Sequence, residues 1–318
     1  MNYNTNFKIE LKNNFKDKNV SDTSTHLYLR NLEKLNDNLP LKNLNFLNNV
    51  DDILNKLKDY KPNTYRSYLI SICSSLKFDK SKKNIKLYDK YYKLLDEVNK
   101  DLKLKEKQQL KSDTQKENWI TWNEVENVYK NLEKEVNTFK NLKQLNLHKY
   151  NILLDYVVLS LYYFIPPKRN QDWTLMNLIY KNNNVLSIDK NYLDYSDEKF
   201  IFNKYKTSKT KGILTEDIPT ELMKIFDLYF KYHPLLKNKK INKNTNVPLL
   251  VYNNGNPLSS VNSITRILNK IFNKKIGSSM LRHIYLSSKY ATNITEMKKD
   301  ADIMGHSIDT QINNYIKN

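Results

Sequence analysis

The chain has 318 residues, room for about two domains of roughly 150 residues each, and its 39% hydrophobic and 27% charged content is that of a globular protein. Its formal charge of +19, from 53 Lys+Arg against 34 Asp+Glu, favours a polyanionic partner, with an anionic membrane surface the poorer alternative and a merely solvated lysine surface a third reading. The single cysteine, Cys73, excludes internal disulfides and cysteine-based zinc clusters and fits a reducing, intracellular setting, while four dispersed glycines (Gly212, Gly255, Gly277, Gly305) cannot build a P-loop or a dinucleotide fingerprint.

In chain order, residues 1–20 are polar, carry no secretory signal and read as a loose lead-in. Ser21-Asp22-Thr23 then caps a helix whose apolar residues recur at helical spacing through "THLYLRNLEKL" (25–35). "VDDILNKLKDY" (50–60), "PNTYRSYLISICSSLKF" (62–78) and "NIKLYDKYYKLLDEVNKDLKLKEKQQLK" (84–111) supply three more helices. Together 21–111 reads as an all-α unit with Lys- and Arg-rich faces. "LKSDTQKENW" (110–119) lacks apolar periodicity and reads as a linker.

A second domain runs over 118–318. "TWNEVENVYKNLEK" (121–134) is a capped helix, and "ILLDYVVLSLYYFI" (152–165) is too short and too interrupted by Asp155 to span a membrane, so it reads as a buried helix. After Pro166-Pro167 the period changes. "NNVLSIDK" and "EKFIFNKYKTSKTKGILTEDIP" (198–219) alternate like strands, with "SKTKG" as a hairpin turn. From 220 onward "ELMKIFDLYFKYH", "SVNSITRILNKIFNKK" and "SMLRHIYLSSKYAT" are helical again. The fold class is therefore mainly α with a small antiparallel β-sheet.

Four stretches carry chemistry. "PPKRNQDWTLMNL" (166–178) sets Arg169 at a helix start with Asp172 one turn on, a pattern that by itself is an ordinary ion pair. "NKYKTSKTKG" (203–212) places Lys204, Lys206, Lys209 and Lys211 around the hairpin, by itself a solvated basic turn. "GSSMLRHIYLSSKY" (277–290) puts Arg282 and His283 near a helix N-terminus, where backbone N–H groups and a guanidinium both suit phosphate oxygens. The ending has Gly305-His306-Ser307, with Tyr315 nine residues after His306 (315 − 306 = 9).

In this order and spacing the four stretches resemble the tyrosine recombinase (phage-integrase) family, which shares its catalytic plan with type IB DNA topoisomerases. The matching residues are Arg169 with Asp172, the hairpin lysines, "SMLRH" and "GHSIDTQINNY", and the match covers 118–318. Residues 21–111 resemble that family's helical core-binding domain. The resemblance implies a site-specific DNA recombinase or integrase that needs neither metal nor cofactor and acts on double-stranded DNA as a homo-oligomer, a tetramer at synapsis. It implies Tyr315 as nucleophile, Arg169, Arg282 and His306 as phosphate ligands, and Lys206, or else Lys209, as general acid. Asp172 would buttress the arginines. A type IB topoisomerase and a non-catalytic DNA-binding relative are the alternative readings.

Two departures from the family pattern stand out. Position 279 is Ser279 where the family usually has His or Lys, so either His283 takes over the missing role, or tyrosine deprotonation relies on the arginines and water, with Ser279 contacting the phosphate and His283 a packed or hydrogen-bonded helix residue. Only three residues follow Tyr315, so the C-terminal docking helix of many family members has no counterpart in them.

Overall fold

The described part of the polar lead-in is mostly helix. In the computed structural model, which describes residues 6–78, 81–180, 186–236 and 240–316, α1 (Asn6–Asp17) turns Phe7, Leu11 and Phe15 to one side. Phe15 is fully buried between the rings of Tyr28 and Phe78, at 5.4 and 5.2 Å. Burying one such ring is worth roughly 2–3 kcal/mol, enough to hold a helix whose other residues are mostly Asn and Lys.

The chain divides into two compact units, Met1–Lys111 and Ser112–Asn318. The first is α1 with α2 (Asp22–Leu35), α3 (Val50–Leu57), α4 (Pro62–Leu76) and α5 (Lys82–Lys107). Its helix starts are set locally. Ser21, Asn49 and Ser81 accept hydrogen bonds from the backbone N–H three residues on, and Pro62 opens α4 where no N–H is needed. Leu32, Leu47, Ile53, Leu69, Ile72 and Tyr91 form its dry centre. Cys73 is buried in that core as a free thiol, which burial pushes up to about 12.

The second unit starts inside the stretch that reads as a linker. Residues 113–118 form α6 (Asp113–Asn118), begun by a capping box between Ser112 and Gln115, and the Asn118 carboxamide accepts the Lys275 N–H at 2.8 Å. Then come α7 (Trp122–Asn137) and α8 (Leu147–Tyr163). The latter is apolar nearly all round and, as that predicts, lies in the middle of the unit. The interruption in its sequence, Asp155, is buried against Lys270. Burial raises this carboxyl above its usual range and the Lys270 ion pair pulls it back.

The sheet is small but mixed, not purely antiparallel. Its strands β1 (Met176–Ile179), β2 (Asn191–Asp194), β3 (Lys199–Phe202), β4 (Leu214–Asp217) and β5 (Asn246–Pro248) lie in the order β4-β3-β2-β1-β5. β1 and β2 run parallel, with Met176 opposite Asn191 and Ile179 opposite Asp194; the other three pairings are antiparallel. Of the strand expected in "NNVLSIDK", residues 183–185 lie outside the described residues and 186–190 are irregular with a turn at 188–189, so β2 begins just beyond it. The connection from β3 to β4 is longer than a tight hairpin and contains a single helical turn, α10 (Ser208–Lys211). The remaining helices are α9 (Asn170–Thr174), α11 (Thr220–Tyr232), α12 (Val261–Phe272), α13 (Ser278–Met304) and α14 (Ile308–Thr310). Among the described residues no helix is long and apolar enough to cross a membrane.

Candidate functional site

Arg169 sits in extended backbone just before α9, a five-residue helix squeezed between the double proline and β1. The start of that helix is a closed loop of two hydrogen bonds. Arg169 N–H donates to Asp172 Oδ2 at 3.1 Å, and Asp172 N–H donates to the Arg169 carbonyl at 2.9 Å. Beside Asp172, Trp173 is fully buried, edge-on to Phe200 and Phe202 at 5.3 and 5.7 Å, so α9 cannot roll.

Asp172 is 5% exposed, and its Oδ1 is buried with no hydrogen-bond partner. Burial pushes its carboxyl above the ordinary range. The Arg169 N–H and the charges of Arg169, Lys168 and Arg282 pull it back down. This places Arg282, 113 residues from Arg169 (282 − 169 = 113), within electrostatic reach of the same carboxylate. Arg169 and Arg282 are both half-buried residues. Two cations thus lie near one buried carboxylate, a charge arrangement suited to an anionic oxygen.

Two buried asparagines, which the sequence reading passes over, hold this cluster in place. Asn170 accepts the Tyr162 hydroxyl at 2.7 Å and donates to the Val261 carbonyl and Thr265 Oγ1 at 3.0 and 2.9 Å, fastening α9 to α8 and α12. Thr265 in turn lies against Gly277, the residue that starts α13; a Cβ on Gly277 would sit 3.6 Å from Thr265 Cγ2. Asn191, with no exposed surface, donates to the Asp172 and Lys204 carbonyls at 2.8 and 3.0 Å and accepts the Lys204 N–H at 2.8 Å. It therefore ties the base of the lysine hairpin to the helix that carries Asp172. A third residue missed in the sequence is Lys168, half-buried over the Phe202 ring at 4.4 Å and paired with Glu216 on β4 at 2.7 Å.

Of the hairpin lysines, Lys204 is paired with Asp189 at 2.7 Å. Lys206 and Lys209 are exposed, beside a turn closed by the Tyr205 hydroxyl donating to the Gly212 carbonyl at 2.9 Å. Ser279 lies in the first turn of α13 and is exposed. His283, expected as a packed or hydrogen-bonded residue, is exposed instead, because its position on α13 faces away from Met280, Leu281 and Ile284, which enter the core.

His306 and Tyr315 form a second cluster. α13 ends at Met304 because Gly305 adopts left-handed backbone (φ 73°), letting the Gly305 and His306 N–H groups return to the Asp302 and Ala301 carbonyls at 3.2 and 3.0 Å. Ser307 caps the next turn, accepting the Thr310 N–H at 3.1 Å, and a wide π-helical turn over Gln311–Tyr315 brings the tyrosine back over the histidine. The two rings stack with centroids 5.1 Å apart and planes 25° from parallel. His306 Nδ1 lies 3.2 Å from the Ser307 carbonyl and so carries the proton; Nε2 is buried with no partner. Tyr315 is 66% exposed.

The structure thus assembles Arg169, Asp172 and Arg282 in one place and His306 with Tyr315 in another. Between them α13 is unbroken. Twenty-two residues from Arg282 to Met304 (304 − 282 = 22) at about 1.5 Å each put roughly 33 Å of helix between the two groups. Away from both, a cavity of about 550 Å³ opens beside Tyr129, Tyr156, Tyr163 and Phe164. No group of three or more His, Cys, Asp or Glu side chains placed to hold a metal ion occurs among the described residues. No protein-family model, curated protein or solved structure matches the chain significantly.

Proposed function

We propose that this protein is a DNA strand transferase of the tyrosine recombinase type, a site-specific recombinase or integrase. The observation that supports it most is the convergence of Arg169 and Arg282, far apart in sequence, on the buried Asp172 carboxylate. Such a pair is the part of the chemistry that is hardest to obtain by accident in a lysine-rich chain. Lysine-rich surfaces bind DNA non-specifically; two half-buried arginines near one carboxylate are suited to grip a single phosphate.

In this reading Tyr315 loses its hydroxyl proton to water as Oη attacks the scissile phosphorus, the P–O5′ bond breaks, and a 3′-phosphotyrosyl ester forms. The ester keeps the energy of the phosphodiester, so a 5′-hydroxyl can reverse the step on the same or another strand. Arg169 and Arg282 neutralise the extra charge of the pentavalent transition state, and His306 donates a third hydrogen bond. Lys206, or Lys209 beside it, gives its proton to the leaving 5′-oxygen. Both lysines are exposed, as a contact with DNA requires.

The test is covalent capture. A library of randomised duplexes carrying a nick, so that the cleaved end diffuses away, is incubated with the protein and run on a denaturing gel. Wild type is expected to give a protein–DNA band and enrich a sequence, while Tyr315→Phe gives none. A band that survives in Tyr315→Phe would remove the tyrosine from this role. Relaxation of a supercoiled plasmid lacking the enriched sequence would move the assignment to a type IB topoisomerase.

A further inference from the structure

We infer that Lys168 is a positioning residue for the proton step: through Glu216 it locks the hairpin that carries Lys206 and Lys209 onto the segment that carries Arg169. The inference rests on the strand-transfer reading above and deepens it by naming what orients the general acid.

Lys168 is held unlike a surface lysine, whose charged head ordinarily stays in water. Its side chain is 17% exposed, its ammonium lies 4.4 Å from the centre of the Phe202 ring, and Glu216 Oε1 accepts from it at 2.7 Å. The Glu216 side chain is itself only 33% exposed. Removing either partner would leave the other charge half-buried and alone. Lys168 thus touches both strands of the hairpin, β3 through Phe202 and β4 through Glu216. The strands hold these two contacts in register, with Phe200 opposite Glu216 and Phe202 opposite Leu214.

Between those strands lies the general acid of the proposed reaction. Residues 203–213 join β3 to β4 and include Lys206 and Lys209, both exposed. On the β3 side, Asn191 ties the Lys204 backbone to the Asp172 carbonyl. On the β4 side, the tie is Glu216 to Lys168, the residue before Arg169. Both ends of the loop are therefore fastened to one short segment, 168–172, which also carries the arginine and its carboxylate. A loop fastened at one end can swing about it; fastened at both, it keeps its place relative to Arg169. Proton transfer needs the donor within hydrogen-bond reach of the leaving oxygen, and a misplacement of about 1 Å can cost roughly 100-fold in rate. Lys168 acts through Glu216, since its own ammonium is committed to that carboxylate and the Phe202 ring.

The test compares two leaving groups in single-turnover adduct formation on the nicked duplex enriched by the wild type. One substrate is ordinary DNA; the other has sulfur in place of the bridging 5′-oxygen at the mapped cleavage site. When the P–S bond breaks, its electron pair leaves on sulfur as a thiolate, which needs no proton because a thiol ionises at a pH of about 8.5 and an alcohol far higher. Lys168→Met, which keeps an apolar stem against Phe202, and Glu216→Gln are each expected to slow the oxygen substrate about 10- to 100-fold and the sulfur substrate less than about 3-fold. Lys168→Arg should stay within about 5-fold of wild type on both, because a guanidinium can pair with Glu216 but cannot give up a proton. Arg169→Ala, which removes charge from the phosphate site, should slow both substrates alike. Equal slowing of both substrates in Lys168→Met and Glu216→Gln would make the pair a support of the fold and overturn the inference. Wild-type rates in both variants would overturn it as well. So would a loss in Lys168→Met and Lys168→Arg that Glu216→Gln does not share, because Lys168 would then give the proton itself. A wild type that forms no adduct overturns the strand-transfer reading and this inference with it.

Discussion

At the scale of single residues, the candidate site depends on groups that never touch solvent. Asn191 makes three hydrogen bonds that no other side chain of its shape could make together: two donated by its amide and one accepted by its carbonyl. Replacing it by Leu leaves the Lys204 N–H and the Lys204 and Asp172 carbonyls buried without partners, each at a cost of about 1–3 kcal/mol before relaxation. Asn191→Leu is therefore expected to lower the unfolding free energy of the second unit by about 3 kcal/mol in a denaturant titration. In single-turnover covalent capture it should slow adduct formation more than it weakens DNA binding, because the lysine hairpin loses its fixed relation to Asp172. Equal losses in both would make Asn191 structural only. Arg169, Arg282 and Tyr315 stand out in the sequence as candidates because their spacing and order are distinctive. Asn191 and Asn170 do not, since asparagine is everywhere in this chain and only the fold shows which ones are buried. Lys168 was hidden the same way, one lysine among many until Phe202 and Glu216 enclose it.

Among the elements, the capped helices of both units follow from local rules. Ser21 and Thr121 begin α2 and α7 where the sequence places them, and α8 is buried because it has no polar face. Three features escaped. The apolar residues of α1 are diluted by Asn and Lys, and only the Tyr28 and Phe78 rings reveal their use. The parallel pairing of β1 with β2 is a long-range choice that alternation cannot encode. The reach of α13 to Met304 was cut short because its second half contributes little to the core, leaving helix propensity as the only signal. Its end is better defined, since Gly305 is in left-handed backbone, and a Cβ there would meet nothing within 4 Å. The penalty of Gly305→Ala is then purely conformational, about 1–2 kcal/mol. The loss is confined to the hook, so the melting temperature should hardly change while hydrogen exchange at the His306 amide speeds up roughly 5- to 30-fold. Gly305→Asn, which tolerates this backbone, should have a smaller effect. Unchanged exchange in Gly305→Ala would mean that the hook does not depend on that turn.

Across the whole molecule, the division into two units with separate cores gives each its own response to pH. In the second unit His233 is 1% exposed, donates from Nε2 to the Pro248 carbonyl at 3.1 Å and accepts the Leu235 N–H on Nδ1 at 3.3 Å. Both nitrogens are committed to a neutral ring, with Tyr229 edge-on at 5.2 Å, and burial holds its pKa down at about 4. The unfolded chain therefore binds a proton at pH values where the native unit does not, and stability falls as pH drops from about 6.5 to about 4. The full span corresponds to on the order of 3 kcal/mol. Asp155 and Asp172, whose carboxyls are raised by burial, act in the opposite sense: the native unit holds their protons more tightly, so their terms favour folding as pH falls. The His233 contribution is isolated by comparing wild type with His233→Gln, whose amide can still donate to Pro248. Urea titrations at pH 7 and pH 4.5 should show the variant losing less stability on acidification than wild type, by about 2 kcal/mol. In the first unit the shifted groups are tyrosines, Lys56, Lys100 and Cys73, all of which titrate above neutrality. The buried Cys73 thiol, labelled by an alkylating reagent only when its core opens, reports that unit alone. The substitution should leave the urea dependence of Cys73 labelling unchanged at both pH values. If His233→Gln shifts Cys73 labelling as much as it shifts the second unit, the two cores unfold as one and the division is one of shape only.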